Sequence, residues 1–120
     1  MSVKNVNLPR VSYKPKTANK DVFVEVSIGD AGDVDGSYSV FLGVEFIAAN
    51  TSAKIGNKAN ISGKVTTVSV TIVDELEETN WTSMKVLIHE GDETTTFGPY
   101  KEKVDSHKDT IVYILKIDHP

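Results

Sequence analysis

The strongest constraint in this 120-residue chain is a repeat of two. Val22, Val24, Val26 and Ile28 share one parity, and Phe23, Glu25 and Ser27 the other. Successive side chains leave a strand on opposite faces, so this alternation predicts a half-buried strand. The pattern returns in Tyr38, Val40, Leu42, Val44 and Phe46, continuing to Ala48. It returns again in Val68–Val70–Ile72, in Met84–Val86–Ile88 and in Ile111–Tyr113–Leu115–Ile117. The run from Tyr38 is long for one strand, so a bulge or bend is expected near Gly43. Thr94 to Phe97 reads as a return strand ended by Gly98 and Pro99. Val3 to Leu8 and Val11 to Tyr13 read as strands that Pro9 and Pro15 confine to edges. Thr51 to Gly63 reads as a connection with room for a short edge strand, and Asp74 to Asn80 as an acidic loop.

No window holds a helical period. About seven to eight short strands, punctuated by turn residues, predict an all-β fold. An antiparallel two-sheet sandwich is favoured over a barrel. The longer connections at 29–36, 51–63 and 99–108 suit Greek-key crossings better than a meander. One domain over residues 1–120 fits this length, and such a chain buries enough surface to fold without staples. It has none to use, because cysteine is absent. That also removes thiol nucleophiles and cysteine-based metal sites.

One segment resembles the immunoglobulin-type sandwich. Asp109-Thr110-Ile111-Val112-Tyr113-Ile114-Leu115 is similar to the Asp-x-Ala-x-Tyr-x-Cys run of a tyrosine corner, with Leu115 at the cysteine position. The resemblance implies an immunoglobulin-like sandwich in which the Tyr113 hydroxyl ties the chain back to a nearby loop. It also implies one further strand after this one, where the sequence reads only to Pro120. A sandwich short of its last strand can accept one from a neighbour.

Charge excludes one class of partner. The net charge is -4 and Arg10 is the only arginine, so phosphate neutralisation has little material and no nucleic-acid partner is expected. No stretch is apolar and long enough for membrane insertion. Residues 1–10 contain no apolar signal-peptide core, which fits either a cytoplasmic protein or a domain of a longer secreted chain.

Two features point to ligands. The loop Gly29-Asp30-Ala31-Gly32-Asp33-Val34-Asp35-Gly36 gathers three carboxylates, Asp30, Asp33 and Asp35, among glycines. Ca²⁺ takes six to eight oxygens at about 2.3–2.6 Å, which such a loop can supply. Asp and Gly are equally the residues of an ordinary turn, and the spacing does not match an EF-hand. Asp74, Glu75, Glu77 and Glu78 would join the ion only if both loops share one end of the sandwich. Trp81, the sole tryptophan, has the opposite parity to Met84, Val86 and Ile88. It is therefore a candidate exposed platform for a sugar or a partner chain, against the plainer reading of an edge-packed indole.

Catalytic signatures are missing. His89, His107 and His119 are isolated in sequence, and no nucleophile elbow, phosphate loop or zinc-protease motif occurs. The first expectation is a non-catalytic module that acts as a structural or protein-interaction domain. Lys64, Lys85 and Lys116 could guard its edges against pairing. A Ca²⁺- or carbohydrate-binding module using the 30–35 loop or Trp81 is the alternative, and an enzyme is the last.

Overall fold

A computed structural model describes residues 3–29, 35–73, 81–104 and 109–120. They form ten strands and one short helix: β1 (Val3–Asn7), β2 (Val11–Ser12), β3 (Val22–Ile28), β4 (Asp35–Leu42), β5 (Glu45–Ala49), β6 (Ala53–Gly56), α1 (Lys58–Ile61), β7 (Val65–Val73), β8 (Trp81–Glu90), β9 (Glu93–Lys103) and β10 (Thr110–Asp118). The fold is an all-β sandwich. One sheet runs β1-β10-β7-β4-β5, with β2 also on β10, and the other runs β6-β3-β8-β9.

The alternation places the core where the sequence predicts it. Val22, Val24, Val40, Val68, Val70, Ile72, Val86, Ile88, Ile111, Tyr113, Leu115 and Ile117 are fully buried between the sheets. Burying such side chains contributes about 1.5–3 kcal/mol each.

Three departures matter for function. The run from Tyr38 to Ala48 is not one bent strand. Gly43 takes a positive φ of 61°, a conformation glycine adopts without steric cost. The chain reverses there, and β5 returns along β4 with Phe46 opposite Phe41. The turn breaks the parity, so Val44 and Phe46 stand outside rather than in the core.

Gly98 and Pro99 do not end a strand either. They lie within β9, where the β8–β9 ladder shifts register between Met84 and Val86. Gly98 holds φ at 102°, and a Cβ there would meet the Tyr100 nitrogen at 2.9 Å. Proline is tolerated because β9 is an edge.

The N-terminal strands supply the third departure. β1 and β2 pair with β10 in parallel, while the other strand pairs are antiparallel. The position beside β10 is therefore filled by the chain's own first strands, and it is no vacancy for a neighbour's strand. Tyr113 also departs from a tyrosine corner. Its hydroxyl meets the Thr82 hydroxyl at 2.7 Å, 31 residues upstream on β8 of the opposite sheet. The tyrosine bridges the two layers instead of tying down a nearby loop. No helix among the described residues is long and apolar enough to cross a membrane.

Candidate functional site

Asp30 and Asp33 lie outside the described residues, as do Asp74, Glu75, Glu77 and Glu78. Asp35 opens β4, and its backbone pairs with Val73 at the end of β7. Val73 pairs in turn with Thr110 at the start of β10, and the Gly29 amide donates to the Ser83 carbonyl at 2.8 Å. The strand ends flanking 30–34, 74–80 and 105–108 thus gather at one end of the sandwich. Among the described residues, no three His, Asp or Glu side chains converge as metal ligands.

Trp81 opens β8 at this same end and is 55% exposed. Strand parity puts Trp81, Ser83 and Lys85 in one outward row, opposite in sense to buried Thr82, Met84 and Val86. The row lies beside a depression of about 260 Å³ lined by Ser27, Gly29, Ser83, Met84, Lys85 and Pro99. Its origin is local. The Gly98–Pro99 irregularity of β9 opens the sheet beside Lys85, and β3 closes the other side, with Ser27 directly across from Lys85. Ser83 is only 7% exposed, yet its hydroxyl has no hydrogen-bond partner among the described residues. Buried polar groups are normally paired, and no described residue pairs this one. Serines are frequent in this sequence, and nothing in the spacing distinguishes Ser83 from the rest.

A polar relay crosses the same sheet two rungs away. His89 Nε2 lies 2.7 Å from Glu25 Oε1, and its Nδ1 lies 2.9 Å from Thr94 Oγ1. Hydroxyl, imidazole and carboxylate in this order can activate a nucleophile. Acyl transfer also needs donors for the oxyanion, and these three side chains stand on a strand-paired face apart from the depression. His89 was isolated in the sequence because its partners come from β3 and β9 through pairing.

Glu90 and His119 are among the ionisable groups of the interior. Glu90 is buried, and its carboxylate accepts from the Tyr13 hydroxyl at 2.5 Å and from the Lys16 and Thr17 amides at 3.0 and 2.7 Å. Burial pushes the carboxyl up, but these donors and the Thr17 hydroxyl hold it below the usual glutamate value. Tyr13 is held well above an ordinary phenol by its burial and then by the Glu90 carboxylate. His119 is also buried. Its Nδ1 donates to the Tyr13 carbonyl at 2.8 Å, so the neutral ring accepts at Nε2 from the Thr66 hydroxyl at 2.7 Å. Burial lowers its pKa, against the opposing pull of the Tyr13 carbonyl and Asp118. Neither placement was read from the sequence, although parity offered a signal. Glu90 continues the inward row 84-86-88, and His119 the row 111-113-115-117. A charge or imidazole at a core parity demands buried partners.

No family model, curated protein or solved structure matches the chain.

Proposed function

We propose that the domain is a non-catalytic interaction module that pairs with a second copy of itself along β5. The observation that carries this is the edge. Among the described residues the edge strands are β1, the two-residue β2, β5, β6 and β9. Three carry devices that block pairing: Lys4 in β1, Lys54 in the short β6, and Pro99, Lys101 and Lys103 in β9. Lysine and proline on an edge discourage strand addition. Lys85 and Lys116, which the sequence suggested as guards, lie in the interior strands β8 and β10, and Lys64 leads into interior β7. β5 reads Glu-Phe-Ile-Ala-Ala, with neither lysine nor proline.

Beside this edge stands an apolar tip. Val44 is fully exposed and Phe46 is 56% exposed, and the Phe46 ring meets Phe41 edge-on at 5.6 Å. Ile47 has no partner between the Val40–Ala48 and Phe41–Phe46 pairs, so β5 carries one bulge, which weakens strand addition here less than a lysine or proline row does. An antiparallel second copy centred on Ile47 sets Glu45 against Ala49 and Phe46 against Ala48. No like charges meet, and large faces small, as cross-strand pairs favour. The polar relay on the other sheet stands away from the depression, which supports the non-catalytic part of the reading.

Sedimentation equilibrium over a wide concentration range tests it. The expected result is a monomer–dimer equilibrium that Val44→Asp and Phe46→Lys shift to monomer, with the Val44→Asp midpoint equal to wild type at concentrations low enough for both to be monomeric. A wild-type protein that stays monomeric throughout, or a dimer indifferent to both substitutions, refutes pairing at β5. A second reading, ligand binding beside Trp81, is favoured by the depression itself.

A further inference from the structure

The depression between β3, β8 and β9 is built from few polar groups, and those groups select a ligand chemistry. Ser83 is more than nine-tenths buried and lines it without a partner among the described residues. Ser27 brings a second hydroxyl from the facing strand, and Lys85 an ammonium. The salt bridges among the described residues do not include Lys85. The Gly29 amide is already committed to the Ser83 carbonyl.

We propose that this depression binds a small ligand through a single carboxylate group, held by the Lys85 ammonium and the Ser27 and Ser83 hydroxyls. The charge count points to a monoanion. One ammonium balances one negative charge, whereas a phosphate dianion calls for clustered cations or an arginine fork. A chain of net charge -4 would repel the second charge. Size agrees. A volume of 260 Å³ is that of about eight or nine waters, and it lies below the range of about 300–1,000 Å³ for drug-sized ligands. Such a space takes a small acid or the acidic end of a longer molecule. Trp81 stands two residues from Ser83 on the same strand face. It gives a ring-bearing carboxylate, such as a uronic acid, an additional apolar contact. This site lies on the sheet opposite β5, so its test is independent of the pairing proposed there.

The test is amide chemical-shift titration of the intact chain with sodium glucuronate, sodium acetate and glucose, at constant ionic strength. Glucuronate and acetate are expected to move the Ser27, Gly29, Ser83 and Lys85 resonances saturably, while glucose does not. Tighter binding of glucuronate than acetate would assign the ring contact to Trp81. Equal binding would assign the site to the carboxylate alone, as a peptide or amino-acid terminus presents it. Both outcomes support the proposal. Lys85→Met is expected to weaken binding about tenfold, the size of a lost charge-assisted hydrogen bond. Ser83→Ala is expected to weaken it severalfold while leaving the thermal midpoint unchanged or raised, because no described residue hydrogen-bonds this hydroxyl. The proposal fails if no carboxylate shifts these residues, if glucose binds as well as glucuronate, or if Lys85→Met binds like wild type. It fails equally if Ser83→Ala lowers the midpoint without touching affinity, since the hydroxyl then serves the fold.

Discussion

Replacing Tyr13 by phenylalanine removes one oxygen from the interior and leaves the ring in place. That oxygen donates to Glu90 at 2.5 Å, and the carboxylate is otherwise held by the Lys16 and Thr17 amides. A hydrogen bond to a charged group contributes about 1.5–3 kcal/mol. In a domain of this length 1 kcal/mol moves the midpoint by roughly 4 °C, so Tyr13→Phe should lower it by about 6–12 °C. Glu90→Ala should cost more, because it strands the phenol and two amides together, and each buried donor left unsatisfied costs about 1–3 kcal/mol. The effect has a pH signature. Burial raises the Glu90 carboxyl, but its donors more than reverse that and hold the folded pKa below the usual value. The contribution of Glu90 is therefore complete above the unfolded value of about 4.3 and is lost as pH falls through the folded one. Calorimetry or denaturant melts of wild type and Glu90→Gln should show a wide stability gap at neutral pH that narrows in acid. A gap of constant width across that range, or a Tyr13→Phe midpoint equal to wild type, refutes the buried-carboxylate argument.

Two other outcomes are expected. His119, whose pKa is lowered by burial, should titrate by NMR below the free-histidine value of about 6.5. The unfolded chain then takes up a proton first, so stability should decline as pH falls below that value. A His119 midpoint at or above that of a free imidazole contradicts its placement. Thr82→Val should cost about 1–3 kcal/mol, because it leaves the Tyr113 hydroxyl only its longer bond to the Thr82 carbonyl at 3.4 Å and takes the Thr82 donor from the Glu102 carbonyl, and Thr82→Val with Tyr113→Phe should recover part of it. Strictly additive losses in denaturant melts would show that the two hydroxyls do not act as a pair.

The layer architecture was legible because it rests on a local signal. Parity in a strand is set by the backbone, so the inward rows of β3, β7, β8 and β10 could be read one residue at a time. Parity fails where the backbone leaves the extended region. A single positive φ at Gly43 sent Val44 and Phe46 outside, and the sequence shows that glycine without showing whether the chain bends or reverses there. Pairing partners are a non-local matter. Nothing in the spacing announces that β1 and β2 lie parallel to β10, or that Glu25, His89 and Thr94 meet across three strands. The Ser83 depression was the least legible, because it is made by the β9 irregularity at Gly98 and Pro99, which read as a strand end.

The parallel seam has a mechanical consequence. β1 enters beside Thr110 and β10 leaves at Asp118, at the far end of the same sheet. Pull β1 by its leading end and β10 by its trailing end, and the tension runs along both strands in opposite directions. The rungs from Val3–Thr110 to Asn7–Ile114, and those of β2 at Ile117 and Asp118, are then sheared together rather than peeled singly. Rupture requires many bonds to yield in one event. Under load in that direction the domain should behave as a stiff link, and it should open far more easily when pulled across the sheet.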